Sequence, residues 1–121
     1  MAESIIQIAD TIQKIIAKIG VCRKEIEGKG QARAKAIKAY DMKLAIALAT
    51  LRESNNYEMA GRKWEAPPVS IMEKIAKGIV AEERYNLEIA EAGYKSAICN
   101  LEALQAQLNG FQSIFRHLDS A

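Results

Sequence analysis

Ile5, Ile8, Ile12, Ile15, Ile19, Cys22 and Ile26 recur at alternating spacings of three and four. That period keeps all of these side chains on one face of an α-helix and forms the a/d seam of a coiled coil, with isoleucine at most core positions. A seam of this kind must be covered by another helix. Ile6 and Ile16 widen the stripe beyond a two-stranded seam, so the helix is expected to touch two neighbours. Ser4 is a candidate N-cap, and Glu3 suits the positive end of the helix dipole.

The pattern is interrupted at Gly28-Lys29-Gly30 and resumes through Ile37, Tyr40, Leu44, Ala47 and Leu51. A single stutter at Gly30 keeps the two stretches in phase. Each glycine costs about 1 kcal/mol inside a helix. A kinked continuous helix over 4–53 and a helix–turn–helix broken at 28–30 both satisfy the spacing. The absence of proline and of a polar turn cluster favours the continuous form. Beyond it, residues 55–66 alternate like a β-hairpin about Ala60-Gly61, which would oppose Tyr57 to Trp64 and Glu58 to Lys63. Ala-Gly is not a preferred hairpin turn, so an irregular loop over 55–69 is the other reading. Pro67-Pro68 ends any strand, and Ser70 with Glu73 fits a capping box that starts a long helix over 70–118. Such a helix would be roughly 70 Å long. Glu82-Glu83-Arg84 falls where the Met72, Ile75, Ile79 stripe should continue, marking a kink, an ion pair, or a point where the helix leaves its neighbour.

The chain has 121 residues, only two prolines, and a helix-forming composition. The expectation is a single helical domain over 1–121 of all-α class. Its long antiparallel helices would form an oligomeric helical bundle, with a small β-hairpin or loop at about 55–66. Two very long helices cannot hide these stripes from water alone, so a homo-oligomer, a dimer or higher, is expected. No run of about 18 apolar residues is present, so no membrane span is expected. The first residues lack a basic stretch before the apolar ones, so no secretory signal is expected. Cys22 and Cys99 sit among apolar residues and read as two buried free thiols.

Charge is unevenly spread. From Lys14 to Lys43 nine basic residues face three acids, a local +6 within a net +2. This is either a basic helical surface pairing with an acidic second half, or an electropositive face for phosphates. Ala103 to Phe115, by contrast, carries no charge over thirteen residues. Leu104, Leu108, Phe111 and Phe115 form a seam there. Gln105, Asn109, Gln112 and Arg116 make a second stripe beside it, also at spacings of four, three and four. Amides in place of Lys and Glu are what a helix shows when its polar side also meets another chain or a ligand.

Two segments resemble small helical proteins encoded by tailed phages and prophages, often among early genes. They are Pro67-Pro68-Val69-Ser70-Ile71-Met72-Glu73-Lys74-Ile75-Ala76-Lys77-Gly78, and Leu104 through Ser113 leading to Arg116-His117-Leu118. The likeness is closer from Asp41 onward. It carries over no activity. It implies a phage protein in the host bacterial cytoplasm, where recombination, replication and evasion of host defence are the usual tasks.

Catalysis is hard to build from these residues. His117, the single histidine, adjoins Arg116 near the C-terminal end and reads as a surface or interface residue rather than a general base. Gly28-Lys29-Gly30 lacks the length and ending of a phosphate loop. Glu82/Glu83 and Glu88/Glu91 have no nearby histidine to complete a bundle-type metal site, and the cysteines lack ligand spacing. No enzyme activity, cofactor or metal is therefore expected. Binding is easier to build. Arg62, Lys63 and Trp64 with Tyr57 opposite could stack a base and hold a phosphate, or simply anchor the hairpin on the helices. Gln105, Asn109, Gln112 and Arg116 could read base edges or peptide groups, or form a hydrogen-bonded layer between subunits. The leading expectation is a non-enzymatic binder that counters bacterial defence by sequestering a nucleotide-type small molecule or by sitting on a host defence protein. One alternative is a nucleic-acid-binding accessory of recombination or replication using Arg33, Lys35 and Lys38. The other is a purely structural coiled-coil adaptor.

Overall fold

A computed structural model describes residues 2–54, 56–59, 62–65 and 69–120 of the chain, with side chains over 4–53 and 69–120. The fold is all-α apart from two short strands. The order is α1 (Ala2–Ser54), β1 (Asn56–Met59), β2 (Arg62–Glu65), α2 (Val69–Ile79) and α3 (Ala81–Ser120). The chain gathers into two compact units. The first joins residues 1–30 to residues 92–121, and the second holds residues 31–91.

In the first unit α1 and α3 lie side by side and run antiparallel. The Lys29 side chain reaches Gly93, while Ile16 and Ile19 share a cleft with Gln105 and Leu108. Ile15, Ile19 and Ala97 are buried, and Ile12, Cys22, Leu101, Leu104 and Leu108 are half-buried around them. A helix pair covers one stripe on each partner and no more. Ile6 and Ile16, the residues that widen the seam of α1, therefore stay 67% and 51% exposed. The thiols depart from expectation as well, because Cys22 is half-buried and Cys99 is exposed. Cys99 falls outside the seam that Ala97, Leu101 and Leu104 set on α3.

No turn interrupts α1 at Gly28–Gly30. Gly30 has a local use. A Cβ there would stand 3.4 Å from Cε2 of Tyr94, so the bare backbone lets the ring lie against α1. A Cβ on Gly28 would meet nothing within 4 Å.

The second unit has the larger core. Ala47 and Leu51 of α1 pack with Met72, Ile75 and Ala76 of α2, bordered by Leu44, Leu48, Ile71 and Ile79. Where the spacing predicts one helix over 70–118, α2 and α3 follow one another, parted at Val80. The break is slight, because Val80 N–H still donates to the Ala76 carbonyl (3.2 Å) and Arg84 N–H to the Val80 carbonyl (2.9 Å). Val80 is fully buried, so the break sits where the apolar stripe ends and charge begins. α2 opens at Val69, one residue before the Ser70 of the capping box, and the Pro67-Pro68 stop lies outside the described residues. β1 pairs antiparallel with β2, setting Tyr57 opposite Trp64 and Glu58 opposite Lys63. The turn residues Ala60 and Gly61 lie outside the described residues. Among the described residues, no helix is long and apolar enough to cross a membrane.

Candidate functional site

The sequence spacing that makes α1 amphipathic also aligns Ile16, Ile19, Gly20 and Arg23, at i, i+3, i+4 and i+7, along one flank of the helix pair. With Gln105 and Leu108 of α3 they line a cleft of about 360 Å³ in the first unit. The floor is aliphatic, with Ile19 buried and Leu108 half-buried. Arg23 and Gln105 stand exposed at its edges. Gly20 leaves the α1 wall open, since a Cβ there would meet nothing within 4 Å. An apolar surface, one guanidinium and one amide can hold a planar heterocycle with an anionic group.

Asn109, Gln112 and Arg116 continue from Gln105 along the same flank of α3 at helical spacing. Gln105, Asn109 and Arg116 are exposed and Gln112 is half-buried. Arg116 Nε donates to the Gln112 main-chain carbonyl (3.4 Å), which folds the guanidinium back along its own helix. Arg23 was missed as a site residue because it sits within the long basic run of α1. The signal that finds it is the Ile16, Ile19, Gly20, Arg23 spacing, with a glycine inside an otherwise apolar face.

The other candidates are placed apart from this stripe. Tyr57, Arg62, Lys63 and Trp64 belong to β1 and β2 of the second unit, paired as given above, and their side chains lie outside the described ones. The proposed basic face is partly spent on internal ion pairs. Arg33 Nε lies 3.9 Å from Glu91, and Lys43 Nζ lies 2.6 Å from Oε1 of Glu83. Lys35 and Lys38 are exposed. Glu83 and Glu91 of α3 thus act as counter-ions to α1, and Glu88 lies 3.4 Å from Arg84 of its own helix.

The carboxyl of Glu83 is shifted. The hydrogen bond from Lys43 holds it below the usual glutamate value, helped by a backbone hydrogen bond and the lysine charge and opposed by burial. His117 stands exposed in the last turn of α3. Among the described residues no group of three His, Cys, Asp or Glu side chains could hold a metal ion. Compared with known protein families, curated proteins and solved structures, the chain matches none.

Proposed function

We propose that this chain is a non-enzymatic binding protein that works as a homo-oligomer. In this reading it sequesters a nucleotide-type molecule in the cytoplasm of a phage-infected bacterium and so counters host defence. The observation that carries the reading is the cleft between α1 and α3, where Arg23 and Gln105 border an aliphatic floor of Ile16, Ile19 and Leu108. Its volume of about 360 Å³ lies at the lower end of the range of small-molecule sites. The floor suits a base or ribose, Arg23 a phosphate, and Gln105 with Asn109 the polar edge of a base. Tyr57, Arg62, Lys63 and Trp64 supply a second aromatic and cationic group for the same class of ligand.

The test is native mass spectrometry of the purified chain, followed by thermal shift with cyclic dinucleotides and ADP-ribose-type compounds. A retained small molecule or a raised melting temperature is expected. Arg23→Ala or Gln105→Ala should weaken binding roughly tenfold or more, the worth of a hydrogen bond to a charged or polar ligand group. Absence of both retention and shift would remove the nucleotide reading. Co-purification of a stoichiometric host protein on the same face would replace it with the host-protein form. Exposed Lys35 and Lys38 support a second reading, nucleic-acid binding. It predicts affinity that falls steeply with salt and drops when both lysines are neutralised.

A further inference from the structure

The flank of the helix pair opposite Arg23 and Gln105 holds a second cleft, of about 420 Å³. It is lined by Lys18, Val21 and Cys22 of α1 and by Asn100, Ala103 and Leu104 of α3. That volume is within the range of small-molecule sites. The middle of the cleft is apolar. Val21 is 62% exposed there, Ala103 is exposed, and Cys22 and Leu104 are half-buried beside them. None of these lining residues is aromatic, so none of them stacks a planar base. The two helices run antiparallel, which sets Lys18 and Asn100 at opposite ends of the cleft.

Charge decides what such a cleft accepts. Lys18 is the single charged residue of this lining. Among the described residues its ammonium has no ion-pair partner, whereas Lys14, one turn earlier, is held by Asp10 at 3.1 Å. The next acid of α1 along this flank is Glu25, about two turns beyond Lys18 and so toward the Asn100 end. Glu27 of α1 and Glu102 of α3 fall on the other flank. α3 presents Ser96, Asn100, Ala103 and Gln107 here, none of them charged. A cation therefore stands at one end of the apolar stretch and an acid beyond the other. A ligand with one anionic head is drawn to Lys18, and Glu25 repels the reverse orientation.

We propose that this cleft takes an alkyl carboxylate, a medium-length saturated chain ending in one carboxylate. The head accepts a hydrogen bond from Lys18 Nζ. The chain covers Val21, Ala103 and Leu104, with the polarisable Cys22 thiol and the aliphatic stem of Lys18 against it. Apolar burial supplies most of the affinity, because an ion pair open to water is worth little. Lys18 sets the sign and direction of the ligand. A polyanion is the poorer fit, since it meets one cation here and then Glu25. This cleft is separate from the one bordered by Arg23 and Gln105, so each site can fail without the other.

The test is calorimetric titration of the full chain with decanoate below its micelle concentration. Iodoacetamide alkylation of Cys22 and Cys99, read by peptide mass spectrometry, locates the site. Saturable binding is expected, with slower alkylation of Cys22 and an unchanged rate at Cys99, which is exposed and outside the cleft lining. Decanol and decylammonium should each bind about fivefold more weakly or worse, the upper worth of an ion pair open to water. Lys18→Met keeps the aliphatic stem, so it should weaken decanoate by about the same factor and leave decanol unchanged. Ala103→Glu should weaken decanoate and strengthen decylammonium. Absence of saturable binding, equal slowing at both cysteines, or decylammonium binding as well as decanoate would overturn the proposal.

Discussion

Lys43 and Glu83 form a close charged contact, 2.6 Å from Nζ to Oε1. Glu83 lies in the first turn of α3, where a carboxylate also meets the positive end of the helix dipole. Its folded-state carboxyl titrates below the unfolded one, the Lys43 hydrogen bond being the largest cause. Between the two values the unfolded chain binds more protons than the folded chain, so stability rises with pH there. The contribution is complete above the ordinary glutamate value and is lost as pH falls through the depressed folded value. Urea titrations across the acid range should therefore show a steeper pH dependence for the wild-type chain than for Glu83→Gln. Identical slopes would mean that the pair adds nothing. Leu51 tests packing at the same scale. It is 0% exposed at the centre of the Ala47, Met72, Ile75, Ala76 cluster. Leu51→Ala should cost about 2–5 kcal/mol, read as a lowered urea midpoint.

At the scale of elements, α1 keeps its helix through two glycines, and the two positions should answer differently to alanine. At Gly28 a Cβ enters open space, so Gly28→Ala should stabilise the helix by up to about 1 kcal/mol and raise the melting temperature. At Gly30 the new Cβ arrives 3.4 Å from the Tyr94 ring, so the same propensity gain is offset and Gly30→Ala should raise the melting temperature less. Equal gains at both sites would show that the ring yields freely. Continuity of α1 was legible because its seam stays in phase across the stutter and no proline competes. Burial of Ile15 and Ile19 was legible for the same reason. Exposure of Ile16 was not, because periodicity reports that a face is apolar and is silent on whether the same chain supplies its cover. The break at Val80 was legible only as an irregularity near Glu82-Glu83-Arg84, not at its own position. Its backbone hydrogen bonds persist on both sides, so no breaker residue announces it. In the candidate site, Gln105 was legible as an uncharged residue beside a seam. Arg23 was hidden in a basic run whose other members serve as surface charge or ion-pair partners.

For the molecule as a whole, the two units differ in how much of their stability they hold within one chain. The second unit buries Ala47, Leu51, Met72, Ile75, Ala76 and Val80, whereas the first buries only Ile15, Ile19 and Ala97 among its described residues. A small core seldom offsets the entropy of ordering about 60 residues. If a second copy completes the first unit, its stability depends on protein concentration by mass action, whereas that of the second unit does not. Hydrogen exchange read at two concentrations should separate them. Raising the concentration a hundredfold, across the dissociation constant, should slow exchange at amides in 1–30 and 92–121 and leave those in 31–91 nearly unchanged. Protection that rises uniformly along the chain would instead show that the two units open as one cooperative body. Protection of the first unit that is already complete at low concentration would show that Ile15, Ile19 and Ala97 suffice as its core.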